Sequence, residues 1–405
     1  MKKVFALVLA LMMVMGMLAG CQSGSPDAPD TAPKTTGTAP ADTQPAGDAA
    51  AAPVKIGLAG PLTGGTAVYG KAVEAGMEIA VEELNALGGL QIEFRSQDDE
   101  HDGEKALNAY NQLKDWGMQI FAGTVTTAPA LAVAPETNAD RIFMLTPSAS
   151  AVEVAAAGDN VFQICFADPN QGLGSADLMA AMNLGQKIGI IYDSSDAYST
   201  GIYKSFIAEA EEKGLNIVCT ATFTADNKSD LSTQVTMCQD NDCDLVFLPF
   251  YATEAAQVLT YANKIGYSPI FFGCDGMDGI LTVEGFDTAL AEGLVMMTPF
   301  AADAADEATQ SFVAKYQEKM GEVPNQFAAD GYDVIYSLYA ACVAAGIDGT
   351  TPADEACDKL IEWFTGNTFD GLTGTGMTWG ADGMVSKIPT AVVIQDGVYV
   401  EFTNG

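Results

Sequence analysis

Val54-Lys55-Ile56-Gly57-Leu58 is a short β-favouring run, Lys71–Leu87 carries apolar residues at helical spacing, and Gln91–Gln97 returns to β-type residues. A strand, a helix and a second strand in that order make the unit from which parallel sheets are built, because the helix carries the chain back to start a neighbouring strand in the same direction. The pattern repeats outward from this stretch. Glu104–Trp116 reads as a helix with Leu107, Tyr110 and Leu113 on one face. Ile120–Ala122 and Ile142–Leu145 read as strands, with a short helix after Pro129 between them.

The alternation restarts after Phe166. Helix Gly172–Met182, strand Lys187–Tyr192, helix Tyr198–Lys213 and strand Asn216–Thr222 come first. Helix Leu231–Gln239, strand Leu245–Leu248, helix Thr253–Lys264 and strand Ile270–Phe272 follow. Two such series predict two parallel sheets covered by helices, that is, an α/β chain of two Rossmann-like lobes. After strand Gly293–Thr298 the order changes to three helices, Asp306–Met320, Ala328–Ala345 and Pro352–Phe364. A short strand near Met377–Trp379 precedes a hairpin of Thr390–Gln395 and Val398–Phe402, turned at Asp396-Gly397. The late helices are best placed on the first lobe. The expected lobes are then 54–167 plus 299–382 and 168–298 plus 383–405. They are joined by three crossings, near Phe166–Asp168, Thr298–Phe300 and Ala381–Lys387, which together make a hinge.

Residues 1–20 read as a secretory leader: Lys2 and Lys3, an apolar run from Val4 to Met17, then small residues. Leu18-Ala19-Gly20-Cys21 resembles a bacterial lipobox, which implies acylation of Cys21 and a lipid-anchored chain on the outer face of the cell membrane. Residues 21–53 are rich in Ala, Pro, Thr, Ser, Gly and Asp and have no aromatic residue, so they cannot bury enough apolar surface to order themselves. They are expected to act as a tether with a typical span of roughly 30 Å.

The net charge is −35, and loss of Lys2 and Lys3 with the leader takes it to −37. Such a surface repels phosphate backbones, which argues against nucleic acid as a partner. Beyond Cys21 there are seven cysteines, an odd number, with Cys238/Cys243 and Cys342/Cys357 as candidate disulfide pairs. No CxxC spacing occurs and His101 is the sole histidine, so neither a metal site nor a cofactor is expected. A Ser–His triad would have to use His101, which lies in the acidic run Asp98-Asp99-Glu100-His101-Asp102, read as exposed loop. Phosphate-loop and HExxH motifs are missing, so an enzyme is not expected.

The run Val54–Gly64 with Tyr69-Gly70, then Asn85–Gly89, Asp98-Asp99, Thr146-Pro147-Ser148-Ala149-Ser150, Asp168, and Gln171-Gly172 resembles the leucine/isoleucine/valine-binding proteins. Tyr192-Asp193, Tyr198 with Gly201, and Gly273-Cys274-Asp275-Gly276 extend the resemblance, which covers Val54 to Phe402. It implies two lobes around a cleft, a small zwitterionic ligand such as a neutral or branched-chain amino acid, and delivery by a monomer to an ABC-type permease. A sensor of the same fold, and an amide or nucleoside-like solute, stay open as alternatives.

Ligands of parallel sheets sit beyond the carboxyl ends of strands. There Thr126 and Thr127 precede a helix, and Ser148, Ala149 and Ser150 follow a strand. Both clusters offer hydroxyls and backbone N–H groups suited to a carboxylate. By the resemblance, Thr127, Ser148 and Ser150 contact carboxylate and ammonium, and Asp275 is the acceptor for the ammonium. Tyr69 and Tyr198, on loops after their strands, and Tyr251 complete the clamp. The family carries Tyr-Tyr where this chain has Tyr251-Ala252. The only two arginines, Arg95 and Arg141, lie away from the cleft ends, which disfavours a ligand with a second carboxylate or a phosphate.

Overall fold

The structure is a computed structural model that describes residues 52–402. The leader, Cys21 and the expected tether up to residue 51 lie outside the described residues. Strands β1 (Val54–Gly60), β2 (Ile92–Asp98), β3 (Ile120–Phe121), β4 (Phe143–Thr146) and β5 (Val161–Gln163) form a parallel sheet in the order β2-β1-β3-β4-β5. Helices α1 (Ala67–Ala86), α2 (Gly103–Asp115), α3 (Thr127–Asp140) and α4 (Val152–Ala155) connect them.

A second sheet repeats the arrangement. Its parallel strands are β6 (Ile188–Asp193), β7 (Ile217–Phe223), β8 (Leu245–Leu248), β9 (Ile270–Gly273) and β10 (Val295–Thr298). Helices α5 (Asp168–Ala181), α6 (Ala197–Lys213), α7 (Ser232–Asp240) and α8 (Ala252–Lys264) belong to this half. The hairpin β11 (Thr390–Gln395) and β12 (Val398–Glu401) adds antiparallel to β10, giving β12-β11-β10-β9-β8-β6-β7. In each sheet the first strand lies between the second and the third, so the winding direction reverses there. That reversal opens a crevice at the carboxyl ends, between β1 and β3 in one lobe and between β6 and β8 in the other. Both crevices face the candidate site described below.

The late helices α9 (Glu307–Met320), α10 (Gln326–Ala345) and α11 (Ala353–Gly366) pack on the first sheet's side: α9 and α10 against α1, α11 against β3 and β4. The α1–α10 crossing is close because both helices present glycine. A Cβ on Gly76 would lie 2.0 Å from the Ala328 carbonyl oxygen, and one on Gly331 would lie 2.5 Å from that of Val73.

Three expectations are corrected. The strand β5 was not foreseen; its three residues are too few to show a period. Met377–Trp379 is not a strand but a pair of isolated bridges, Phe369 to Met377 and Trp379 to Val385. Tyr69 lies not on a loop but in the first turn of α1, and Tyr198, read both as the start of a helix and as loop, is in the first turn of α6.

The third crossing is anchored at both ends. Before it, the Trp379 indole N–H donates to the Gln163 carbonyl at 2.8 Å, and Gln163 N–H donates to the Gly383 carbonyl at 2.9 Å. After it, the Thr390 hydroxyl donates to the Thr298 carbonyl at 2.7 Å. Between them Lys387 is buried. Its ammonium donates to Asp330 Oδ1 at 3.0 Å and to the Thr373 hydroxyl at 2.6 Å, and Thr373 donates in turn to Asp333 Oδ2 at 2.6 Å. Burial pushes the Asp330 carboxyl up to about 7 while Lys387 pulls it the other way.

All seven cysteines among the described residues are buried and none is disulfide-bonded, so neither candidate pair is joined.

Candidate ligand-binding cleft

The two crevices meet at a small enclosed site. The first lobe supplies Tyr69, Val125, Thr126, Thr127, Ser148 and Phe327; the second supplies Tyr198, Tyr251, Asp275 and Gly276. Seven of the nine non-lipid candidates thus come together. Ala149 and Ser150 sit behind the lining, both buried, and the Ser150 hydroxyl has no hydrogen-bond partner.

The first-lobe wall is a helix start. Thr126 is the N-cap residue of α3 and Thr127 its first residue, so the unpaired N–H groups of that turn point toward the cleft. Thr126 does not cap through its side chain; its hydroxyl instead meets His101 Nδ1 at 2.8 Å. The Ser148 hydroxyl donates to the Val125 carbonyl at 2.5 Å, which ties the two loops into one surface. Thr146 accepts from Ala149 N–H at 3.0 Å, and Gln163 donates to the carbonyls of Ala149 and Ala151, so the β4–α4 loop is held from behind.

The second-lobe wall centres on Asp275, buried just after β9. Its Oδ1 accepts from the Tyr198 hydroxyl at 2.6 Å, its N–H donates to Gln171 Oε1 at 3.1 Å, and the Tyr198 oxygen accepts from Gly276 N–H at 2.9 Å. Burial pushes the Asp275 carboxyl up to about 6, against the pull of Tyr198 and Gln171. Tyr251 lies at the centre of the aromatic group, with ring centroids 5.4 Å from Tyr69, 5.1 Å from Tyr198 and 5.5 Å from His101.

Contacts between the walls hold the lobes together. The Tyr69 hydroxyl donates to the Gly276 carbonyl at 2.6 Å and accepts from Ala252 N–H at 2.8 Å. Thr253 donates to the Gly65 carbonyl at 2.7 Å, and Asp278 accepts from Gln326 N–H at 2.8 Å. The space left inside is about 10 Å³, room for about one water molecule. An amino acid therefore enters only if the lobes part or the tyrosine rings move. A wider concavity of about 570 Å³ lies elsewhere, between α5 and Lys387–Ala391, and none of the candidate ligand-binding residues lines it.

Two acidic-run readings are corrected here. His101 is not on an exposed loop: its ring packs in the cleft against Tyr251, and burial pushes it down to about 4, so it is neutral. Asp99 is not solvated surface; it is fully buried, accepts from His101 N–H at 2.9 Å, and burial pushes it up to about 7. Phe327, in the first turn of α10, was also missed, because nothing in the sequence links a late helix to a cleft built from strand ends. For His101, its position just beyond the end of β2 was the available signal.

The periplasmic binding protein family profile matches residues 53–397. A Leu/Ile/Val-binding protein homolog from Brucella melitensis is 30% identical over 233 residues, 56% of this chain and 63% of that one. The leucine-, isoleucine-, valine-, threonine- and alanine-binding protein of Pseudomonas aeruginosa is 25% identical over 329 residues, 80% of this chain and 85% of that one. Among solved structures, a leucine-binding protein from Thermotoga maritima matches with a TM-score of 0.76 at 26% identity, covering 86% of this chain and 98% of its own. These relatives are binding proteins rather than enzymes. With two doubly wound lobes on either side of a cleft, the chain belongs to the periplasmic binding protein family and is an extracytoplasmic solute-binding protein.

Proposed function

We propose that this chain is the solute-receiving component of an ABC importer, tethered through acylated Cys21, and that it takes a neutral or branched-chain amino acid by hinge closure. One observation carries the reading: the start of α3 with its hydroxyls faces a buried carboxylate, Asp275, across the meeting of the two crevices. A helix N-terminus favours an anion, and a shielded carboxylate favours a cation. The ligand's carboxylate docks on Thr126, Thr127 and Ser148, with Ala149 and Ser150 supporting that wall. Its ammonium meets Asp275, and Tyr69, Tyr198 and Tyr251 enclose the side chain. The absence of an arginine at the site fits a ligand with a single carboxylate. The leucine-binding proteins among the relatives support the same choice. Closure is favoured by contacts made only in the closed state, such as the two hydrogen bonds of Tyr69.

The test is calorimetric titration of the protein with leucine, isoleucine, valine, glutamate, putrescine and adenosine. Binding of the neutral amino acids, weakened more than roughly tenfold in Asp275→Asn, is the expected result. Equal binding in Asp275→Asn, or binding of adenosine alone, sinks the carboxylate–ammonium assignment.

A further inference from the structure

At the opposite end of the second lobe from the cleft, three thiols converge. Cys219 lies on β7, Cys238 in the last turn of α7, and Cys243 on the loop that enters β8. Their sulfurs all lie within 4.8 Å of one another, and all three residues are buried. The backbone around them is fixed. Cys243 N–H donates to the Cys238 carbonyl at 3.0 Å, and the Tyr267 hydroxyl donates to the Cys243 carbonyl at 2.7 Å. Gly189, near the start of β6, leaves the sulfurs their space: a Cβ there would lie 2.9 Å from Cys243 Sγ and 3.0 Å from Cys238 Sγ.

We propose that Cys219, Cys238 and Cys243 form an all-sulfur site for a soft, thiophilic metal ion of low coordination number, with copper(I) as the representative ion. A metal–thiolate bond of about 2.3 Å places the sulfurs of a trigonal site about 4 Å apart. The trio lies within about 1 Å of that spacing, so small side-chain rotations complete the site. A Cys238–Cys243 disulfide, in contrast, would draw two sulfurs to about 2 Å and leave the third out. Thiolate sulfur is the donor preferred by copper(I) and zinc. Structural zinc takes four ligands, and among the described residues no histidine or carboxylate joins the three sulfurs. Three-coordinate copper(I) fits the donor set as it stands. Bound there, the ion ties the end of α7 to the edge strand β7 and to β8. The amino ends of these strands are remote from the carboxyl ends that form the cleft, so metal and solute bind independently.

The full chain, stripped of metal and reduced under anaerobic conditions, is titrated with copper(I) against a coloured copper(I) chelator. Expected are withdrawal of one copper(I) per chain, an ultraviolet thiolate-to-copper charge-transfer band, and a raised melting temperature. Cys219→Ser and Cys238→Ser each weaken binding by roughly a hundredfold or more, beyond the loss typical of removing an outer partner. Cys342→Ser does not. If Cys238→Ser fails to fold, Cys219→Ser on the edge strand and Gly189→Ala, which presses a methyl group on two of the sulfurs, decide the matter. Failure to compete with the chelator, or unchanged binding in Cys219→Ser, overturns the proposal. So does peptide mapping that finds Cys238 and Cys243 already joined in the native protein.

Discussion

Asp275 is held in a state between two demands. Burial raises its proton affinity, while the Tyr198 hydroxyl and Gln171 favour the carboxylate, and the balance lies at about 6. A ligand ammonium needs the carboxylate. Above about pH 7 Asp275 is ionised and affinity is flat. As pH falls through 6 the ligand must displace a proton, and affinity falls by up to about tenfold per pH unit. His101, neutral down to about 4, does not contribute in this range. Calorimetry at pH 5, 6 and 7.5 checks the slope, and in Tyr198→Phe the fall begins at higher pH because a bond that favours the carboxylate is gone. A flat profile removes Asp275 from direct contact with the ammonium. At this scale the sequence was most legible where chemistry follows a strand end: Thr126, Thr127, Ser148, Tyr251 and Asp275 all occupy such positions. It was least legible for His101 and Asp99, whose acidic neighbours suggest solvent. The His101 ring is covered by Tyr251 of the second lobe, a contact that no local pattern reports.

Among the elements, α1 and α10 pack in close approach. The sequence announced both helices but not their partnership, because a close crossing depends on a glycine in each helix facing the backbone of the other across some 250 residues. Neither glycine has positive φ, so backbone freedom is not the reason for them; close approach is. Gly331→Ala drives a methyl group into the Val73 carbonyl and is expected to lower stability by about 1–3 kcal/mol. Urea denaturation checks this, with Gly366→Ala, where nothing lies near the added carbon, as the control. Equal midpoints in the two variants would mean that the helices separate without loss. β5 escaped the sequence reading, and the isolated bridges of Met377 and Trp379 were read as a strand, for a related reason. Short pairings gain their order from neighbours, here Gln163 with Trp379 and Gly383, rather than from a period of their own.

For the molecule as a whole, the crossings are what join the two sheets. Alternation of strands and helices made the two-lobed plan visible, yet the ion pair under the third crossing was not foreseen. Lys387 and Asp330 are 1% and 2% exposed in their side chains, so each needs the other. Lys387→Met leaves a buried carboxylate unpaired and is expected to cost about 3–5 kcal/mol in denaturant unfolding. Lys387→Met with Asp330→Leu should recover most of that loss, whereas an equal loss in both variants would locate the effect in packing rather than charge.

The burial of every thiol in the described body has a practical consequence. A reactive dye finds no native cysteine at the surface of a chain that starts after Cys21. Ile388 on the third crossing is 82% exposed. With Ile388→Cys it becomes the one accessible labelling point, and an environment-sensitive fluorophore placed there would turn the proposed hinge closure into an optical signal for the solute.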